Sequence, residues 1–431
     1  MAIQIKSDGT WAAEYEGPYQ GLDVQKPETL ISDKASPSFN NFMLRNSELR
    51  SRPNFALPFT GNIFNFPVPF PVGVSSFLDI NGTYHTVAWA GNNMYQYNPT
   101  LLPSAPWSVV GAAGPGSLAQ QPLAYRTFAN NIYYTASALL APPHGSGGIA
   151  VVTPFLAYWD GIAAAPIFTQ PFGDGSTSNS IAGISLTDSP TVGGSLPGGP
   201  TIVGPIAIGA GFLAELNNQL LLANVSIKDQ GNGKIYNFPT LIWWSANGLP
   251  LQWDPTQNTS AGFNPFLDVS DQITGLAMLG IAGYIFRTFG ITQMTPAGSA
   301  VTPWEFDHMW ASDHGIGNVL PWSISQYGPT AAFVAQDNIY SLSVTNAQPI
   351  GGTARDAIMT DLANCSGPPV ANIIPSFKAG YVYLTYQILI PFPSFTREYV
   401  YSFEDKNWAT WDLALPAPSI GQQIVSVPNV V

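Results

Sequence analysis

The chain has 431 residues, of which only 9% are charged, while 41 are glycine and 39 are proline. An ordinary soluble domain has about 25% charged residues, so this composition argues against long, salt-bridged surface helices and predicts an all-β protein with many turns. The 26 acidic residues outnumber the 14 basic ones and give a net charge of −12. This balance is the reverse of that expected for a protein that neutralises nucleic-acid phosphates.

Residues 1–58 are predicted to form an extended N-terminal arm, or platform segment, that runs along the body of the protein. Its prolines prevent a long helix. Arg45, Arg50 and Arg52 lie in this arm. Because arginine is favoured at protein interfaces, the three are candidate inter-subunit contacts. The alternative is that they pair with carboxylates of the neighbouring sheet.

Residues 59–415 repeat one pattern of short apolar runs and Asn- or Gly-bearing turns. The clearest copy, residues 211–254, has two runs joined by Asn217-Asn218, then a run with Trp243 and Trp244, and closes at Trp253-Asp254. Each copy is the size of a four-stranded sheet, and repetition at this scale is typical of an array of small sheets. We therefore predict a β-propeller of about six blades, with units near residues 73–102, 118–161, 211–254, 273–310, 322–355 and 371–413.

Paired turn residues mark the hairpins of these units. Asn92-Asn93, Asn130-Asn131 and Asp337-Asn338 each precede an apolar residue and a tyrosine. Asn and Asp tolerate the positive φ that two-residue hairpins need. We expect these pairs, with Lys378-Ala379-Gly380, to occupy equivalent places in their sheets.

Two long Gly/Pro-rich segments interrupt the propeller. Residues 136–152 are predicted to be a loop inserted in the second unit, and residues 173–204 a second loop that contacts a partner. Residues 416–431 are predicted to be a C-terminal tail.

No catalytic, cofactor-binding or metal-binding residues are predicted, and we expect the protein not to be an enzyme. The sequence has no nucleophile elbow, P-loop or dinucleotide fingerprint. Its single cysteine excludes an intramolecular disulfide, and His308 and His314 are interpreted as loop residues in preference to metal ligands. Asp268 and Asp271 are interpreted as turn formers. Four arginines occur one per unit and could converge at a propeller axis: Arg126, Arg287, Arg355 and Arg397.

No signal peptide opens the sequence, and its most apolar run, residues 276–286, is too short to span a bilayer. We expect synthesis in a host or cell cytoplasm and no stable membrane insertion.

The order of several stretches resembles the tail nozzle, or tail tubular protein B, family of short-tailed bacteriophages. The N-terminal residues that carry the resemblance are Gly21, Leu22, Asp23, Asn40, Arg50, Arg52 and Pro53. Later stretches follow in the family's order: residues 213–224, 243–255, 273–280 and 398–413. The chain is shorter than the best-known members, so we expect it to lack the accessory domains that hold fibres.

This resemblance implies a structural virion protein of the phage tail. It implies a homohexameric ring through which the genome passes during ejection. The implied partners are a tail adaptor ring, tail fibre or spike proteins, and viral DNA that passes without specific binding. We further expect acidic residues to line the lumen, because negative charge does not retain DNA.

Two alternatives remain open from the sequence. A carbohydrate- or receptor-binding propeller would present exposed Trp and Tyr side chains on one face. A glycan-cleaving propeller would bring carboxylates and arginines together in one pocket.

Overall fold

The computed structural model describes residues 2–5, 11–14, 42–45, 48–51, 73–90, 92–98, 107–114, 123–137, 153–169, 206–229, 233–253, 260–266, 271–299, 303–310, 316–321, 323–344, 346–364, 370–376, 381–390 and 395–413. Two hairpins precede the main body. They are β1 (Ala2–Ile5) with β2 (Trp11–Glu14), and β3 (Phe42–Arg45) with β4 (Glu48–Ser51).

The main body consists of six four-stranded antiparallel sheets, called blades 1–6 in chain order. Blade 1 contains β5 (Gly73–Leu78), β6 (Tyr84–Ala90), β7 (Asn93–Tyr97) and β8 (Trp107–Ala112). Blade 2 contains β9 (Ala124–Phe128), β10 (Asn131–Ala136), β11 (Phe155–Trp159) and β12 (Ile167–Thr169). Blade 3 contains β13 (Ile206–Leu216), β14 (Gln219–Asp229), β15 (Ile235–Trp244) and β16 (Gly262–Asn264).

Blades 4–6 follow the same plan. Blade 4 contains β17 (Ile273–Leu279), β18 (Ala282–Arg287), β19 (Ile291–Pro296) and β20 (Trp304–Trp310). Blade 5 contains β21 (Ser325–Tyr327), β22 (Thr330–Val334), β23 (Ile339–Leu342) and β24 (Ala347–Pro349). Blade 6 contains β25 (Val370–Ser376), β26 (Tyr381–Ile390), β27 (Phe395–Ser402) and β28 (Asn407–Leu413).

The blades are arranged as a β-propeller, as predicted. In every blade the strands pair in chain order, and the first strands of neighbouring blades contact each other from β9 through β13, β17 and β21 to β25. Since successive first strands run in the same direction, equivalent connections meet at the same end of the propeller. The short-turn end holds the connections from first to second and from third to fourth strands. The remaining connections lie at the opposite end.

Tight turns form where the sequence supplies residues that tolerate positive φ. Asn217 and Asn218 have φ of 49° and 61° and close the hairpin of β13 and β14, as predicted. In blade 2 the turn lies one residue earlier than predicted, at Ala129 and Asn130, with φ of 45° and 62°. Both turns join a first strand to a second strand at the short-turn end.

The expectation that the paired turn residues occupy equivalent places is wrong. The Asn92 and Asp337-Asn338 turns join second strands to third strands, at the opposite end from Asn217-Asn218. Both ends of a blade need turns, but Asn92, Asp337 and Asn338 do not have the positive φ of Asn217 and Asn218, so similar residues form different turns at the two ends.

In blade 3 the fourth strand lies later in the sequence than the predicted closing point at Trp253-Asp254. β16 forms at Gly262–Asn264, whereas Trp253 lies before it outside any strand and is buried. The Trp243 ring donates from Nε1 to the Trp253 carbonyl at 3.0 Å and meets the Trp253 ring edge-on at 6.3 Å. Trp253 therefore covers the blade as a packing residue and does not end a strand.

Each pair of blades that are consecutive in the chain encloses an apolar core. Blades 1 and 2 bury Trp89 against Tyr134, blades 3 and 4 bury Trp244 with Ile285, and blades 4 and 5 bury Phe286 against Phe333. In blade 6 the buried residues at alternate positions are Leu384, Tyr386 and Ile388 in β26, and Tyr399 and Tyr401 in β27. This period-two pattern explains the high aromatic content of the sequence.

One helix, α1 (Arg355–Ala363), lies in the connection between blades 5 and 6 and was not predicted. Its Ile358 and Leu362 side chains are buried in the core that blades 5 and 6 share. Nine residues with two core-facing positions give too little periodicity to stand out in the sequence. No helix in the described ranges is long and apolar enough to cross a membrane.

Most of the predicted insertions and the tail lie outside the described residues. Ala136 ends β10 and Ser137 is buried, but residues 138–152, 173–204 and 416–431 are not described. The same holds for much of the predicted arm, including residues 15–41 and 52–58. The β3–β4 hairpin of the arm lies against β28 of blade 6.

Candidate interaction face

Exposed apolar side chains are concentrated at the short-turn end of the propeller. Of thirteen exposed large apolar residues in the described ranges, ten lie on or next to connections at this end: Ile167 at the start of β12 and nine others. Ile80 and Ile281 are the most exposed, at 76% and 79%. The nine residues, which we call the short-turn face, are Leu78, Ile80, Tyr84, Ile162, Leu249, Leu251, Ile281, Tyr327 and Val344.

In blade 1 a buried carboxylate fixes the turn that carries Ile80. Asp79 Oδ1 accepts hydrogen bonds from the backbone N–H groups of Asn81 and Thr83, at 2.9 and 2.7 Å. Asp79 Oδ2 lies 3.1 Å from His85 Nε2. The amide of Gln96 lies 2.9 Å from His85 Nδ1, so Nδ1 accepts and Nε2 donates to Asp79. Ile80 therefore projects from a turn that is hydrogen-bonded at its base.

These contacts also decide the charge state of Asp79. Burial alone raises the pKa of this carboxyl group, but the hydrogen bonds from His85, Thr83 and Asn81 outweigh burial and hold the pKa below its usual value. The ionised form is the one that organises the turn.

In blade 2 Asp160 has the same role beneath Ile162. Its Oδ1 accepts from the backbone N–H groups of Ile162 and Ala163, at 2.9 and 2.7 Å. Burial raises the pKa of Asp160, but these hydrogen bonds outweigh it and lower the pKa overall. Trp159 Nε1 donates to the Ala163 carbonyl at 2.8 Å, which ties the same turn to the blade core.

In blade 3 two connections of the short-turn end are joined to each other. The backbone N–H of Gly248 donates to the Asn218 carbonyl at 2.8 Å, and Asn218 Nδ2 donates to Asn247 Oδ1 at 3.1 Å. The adjacent segment presents Leu249 and Leu251, which are 44% and 41% exposed. The two joined connections therefore carry two leucines that are exposed at the short-turn end.

Blades 4 and 5 are also linked at this end. Ile281 follows Gly280, whose φ of 68° closes a two-residue turn. The Gln326 side chain donates to the Met278 carbonyl at 2.5 Å and accepts from the Met278 N–H at 2.8 Å. The Tyr284 hydroxyl donates to the carbonyl of Val344 at 2.7 Å. Blades 4 and 5 thus present their apolar residues in a fixed relation.

Charge at the short-turn end is concentrated in blade 6, whose β27–β28 connection holds Glu404, Asp405 and Lys406, with Glu404 and Lys406 exposed. In the described connections of blades 1–5 at this end, the only charged side chains are Asp79 and Asp160, and both are hydrogen-bonded to their own turns. An apolar, nearly uncharged surface like that of blades 1–5 is typical of protein–protein contact.

The opposite end holds buried and partly buried ion pairs, and of the thirteen exposed apolar residues Phe289 lies in a connection there. Arg287 Nη1 donates to Asp271 Oδ1 at 2.6 Å, with both side chains almost fully buried. Asp271 Oδ2 accepts from the Phe289 N–H at 3.0 Å. Asp361 of α1 accepts from Arg397 and from the Tyr399 hydroxyl. The interpretation of Asp271 as a turn residue is therefore incomplete, since it also neutralises a buried arginine.

The arginines singled out by the sequence are placed as follows. Arg45 ends β3 opposite Glu48, and Arg50 lies in β4 opposite Met43, while Arg52 lies outside the described residues. Arg287, Arg355 and Arg397 each pair with a different carboxylate: Asp271, Asp356 and Asp361.

No metal-binding cluster of three or more His, Cys, Asp or Glu side chains occurs in the described part of the chain. The His308 ring lies within hydrogen-bonding distance of the Thr292 hydroxyl, with its Nδ1 atom 2.8 Å away, and His314 is not among the described residues.

No protein-family model matches this chain, and no curated protein matches it. Among solved structures, a GH43 β-1,3-galactosidase is 10% identical with a TM-score of 0.28, covering 67% of this chain and 91% of that protein. The N-terminal domain of Nup159 is 9% identical with a TM-score of 0.33, covering 74% and 73%. Porphyromonas gingivalis dipeptidyl peptidase 4 is 9% identical with a TM-score of 0.32, covering 81% and 54%. At these scores no activity transfers to this chain.

The sequence interpretation missed the short-turn face. A signal was present, because Ile80 lies between Asp79 and Asn81, and Ile281 and Leu249 each follow a glycine. The side chain of a large aliphatic residue inside a tight turn cannot reach the core. Such a residue in the sequence therefore indicates an exposed apolar side chain.

Proposed function

We propose that this chain is a non-enzymatic structural protein of a tailed-phage virion, one subunit of a ring in the tail through which the genome passes. The observation that carries the proposal is the group of exposed apolar side chains at the short-turn end of blades 1–5, on a β-propeller with 9% charged residues. Such a surface is costly to leave in water and suits a protein that is covered by its neighbours. The order of stretches that resembles tail nozzle proteins suggests the phage tail as the assembly that supplies those neighbours.

The composition of the exposed residues supports protein contact over sugar binding. Sugar-binding faces stack aromatic rings on the ligand, whereas the short-turn face consists of seven aliphatic residues with Tyr84 and Tyr327. No tryptophan is among the exposed large apolar residues that the structure describes. A carbohydrate-binding propeller is therefore the second choice.

The charge of the chain is compatible with passing DNA. A net charge of −12 on the subunit repels a phosphate backbone, so DNA would move past the ring without being held. We propose accordingly that acidic side chains line the lumen, with the adaptor ring and fibre or spike proteins at its two ends.

Purified virions of the phage that encodes the chain provide the test. We expect peptides of the chain in the particle proteome, a copy number that is a multiple of six, and antibody labelling at the tail. A particle that lacks the chain, or that carries it in the capsid, contradicts the proposal. A ring reconstruction with a basic lumen contradicts the DNA-passage part alone.

A further inference from the structure

The β3–β4 hairpin of the arm and the outer strand of blade 4 have complementary features. We propose that the β3–β4 hairpin of one copy of this protein docks on the free edge of β20 in the next copy, with Arg50 beside Glu305 and Asp307. The inference rests on the ring of the proposed function and deepens it, because it names the two surfaces that join neighbouring subunits.

The first surface is the hairpin. Strands β3 and β4 form a two-stranded sheet that pairs with no further strand in the described part of the chain. A sheet of only two strands is marginally stable in water, and a third strand stabilises it. Strand β3 lies against β28, the outer strand of blade 6. The hairpin is therefore at the outer edge of its own propeller, where a neighbouring subunit can reach it.

The register of the hairpin divides its residues between two faces. One face holds two opposite pairs: Arg45 with Glu48, and Arg50 with Met43. The other face is mostly apolar and consists of Phe42, Leu44, Leu49 and Ser51. Because burial of apolar surface is favourable, the apolar face is the one expected to lie on blade 6. Arg45 has an acidic residue opposite it and Arg50 has none, so Arg50 is the charge that a partner can neutralise.

The second surface is the edge of β20. This strand pairs with β19 on one side, and the structure describes no strand on its other side. Glu305 and Asp307 lie two residues apart on β20, and both are exposed. Neither side chain forms a hydrogen bond or an ion pair within the described ranges. By contrast, Asp271, Asp337 and Asp361 each accept a hydrogen bond from their own subunit.

Charge complementarity selects a second copy as the occupant of this edge. The 26 acidic and 14 basic residues make most of the surface of one copy repel another. Arg50 beside Glu305 and Asp307 reverses this repulsion locally, since opposite charges on adjacent strands attract each other. The same carboxylates disfavour pairing of β20 with a second β20, because like charges would meet. Backbone hydrogen bonds along the edge supply the affinity of strand addition.

The positions of the two surfaces fit a ring of six. The contact joins different surfaces of the two copies, and such a head-to-tail contact generates a ring when the rotation closes. The surfaces lie on blades 4 and 6 of a six-bladed propeller, and each blade turns by about 60°, so they are about 120° apart around the propeller axis. In a planar ring of six, the two neighbours of a subunit also lie about 120° apart. A propeller axis parallel to the ring axis therefore gives a closed hexamer.

Charge reversal in the full-length chain tests this contact. Arg50→Glu makes the hairpin acidic, and the double variant Glu305→Lys with Asp307→Lys makes the edge of β20 basic. Asp356→Lys is the matched control, because Asp356 is an exposed carboxylate on α1, which belongs to neither surface. Circular dichroism and thermal melting establish that each variant is folded; Glu305→Gln with Asp307→Asn replaces the lysine variant if that one is not.

Native mass spectrometry over a range of concentrations measures the assembly. We expect the wild type to form hexamers, Arg50→Glu and the double lysine variant each to associate about tenfold or more weakly, and Asp356→Lys to resemble the wild type. An equimolar mixture of the two charge-reversed proteins should regain hexamers with three copies of each. In the mixture acidic hairpins meet basic edges, and basic hairpins meet acidic edges.

Four results would overturn the inference. They are a wild type that stays monomeric, charge-reversed variants that associate like the wild type, a mixture that does not regain hexamers, and an equal loss in Asp356→Lys. The second result is the one expected if Glu305 and Asp307 only protect a free strand edge from aggregation.

The outcome is separable from the proposed function. Detection of the chain in virions tests the virion role and does not depend on Arg50, Glu305 or Asp307. A chain that is found in tails, but whose assembly is insensitive to these charges, would retain the proposed function and lose this inference.

Discussion

The side chain of Asn224 in blade 3 donates a hydrogen bond from Nδ2 to the backbone carbonyl of Ile273 in blade 4, at 2.9 Å. Asn224 is fully buried, has a φ of 56°, and lies at a bulge where the register of β14 against β15 shifts. The irregularity in one blade thus supplies the donor that joins it to the first strand of the next blade.

Replacing Asn224 tests this inter-blade bond. We expect Asn224→Ala to lower the free energy of unfolding by about 2–4 kcal/mol, since it removes the donor of a buried carbonyl and places a Cβ at positive φ without compensation. Asn224→Gly tolerates the backbone conformation and should lose less. Urea unfolding of both variants measures the difference; equal stability of Asn224→Ala and wild type would show that the bond contributes nothing.

The buried pair of Arg287 and Asp271 gives a second prediction. Asp271→Ala leaves a buried guanidinium without its carboxylate, and we expect a loss of about 3–5 kcal/mol in the free energy of unfolding. The exposed pair of Arg355 and Asp356 is the control, and Asp356→Ala should cost less than about 1 kcal/mol. Similar losses in the two variants, measured by urea unfolding, would mean that water reaches Arg287.

Asp79 predicts a dependence of stability on pH. Its pKa in the folded protein lies below the ordinary aspartate value of 3.8, so the folded state favours the ionised form. The stability that Asp79 contributes is therefore complete above its unfolded pKa and is lost as the pH falls through the lower folded value.

The pH dependence is measured as the urea midpoint above and below pH 3.8. We expect the midpoint of the wild type to fall more steeply with acidification than that of Asp79→Asn, whose amide does not titrate. Asp160→Asn is a useful comparison, because the pKa of Asp160 is lowered by its own turn. Identical slopes for wild type and Asp79→Asn would refute the assignment.

The three arginines of the arm predict an effect on assembly without an effect on folding. We expect the variant with Arg45, Arg50 and Arg52 all changed to Ala to form a smaller assembly in native mass spectrometry, with a free energy of unfolding within about 0.5 kcal/mol of the wild type. Arg355→Ala is the control. Loss of stability with an unchanged assembly would favour the alternative, in which the arginines pair with the neighbouring sheet.

The number of blades was predictable because each blade repeats the same chemistry. Alternating apolar residues and turns with Asn or Gly recur in all six sheets, from residues 73–112 to residues 370–413. Strands of three residues, such as β12, β16, β21 and β24, were not located, because three residues carry no measurable period. Helix α1 was missed for the same reason.

The short-turn face was harder to predict, because exposure depends on position in the assembled sheets. Ile80 and Val334 are both aliphatic residues near turns, yet Ile80 is 76% exposed and Val334 is fully buried. The sequence does not distinguish the two ends of a blade, since Asn-rich turns occur at both. Only the order of strands within each blade assigns a turn to one end or the other.

The separation of the two ends has a consequence for how this protein tolerates change. The propeller begins at Gly73 and ends at Leu413, and both positions lie at the opposite end, where the chain also leaves blade 2 at Ala136 and again at Thr169. The connections that leave blade 2 at Ala136 and Thr169 begin on the side away from Ile80 and Ile281. We therefore expect a reporter domain inserted between β12 and β13 to be tolerated, because it would start on the side opposite Ile80 and Ile281. The short-turn face should keep its shape.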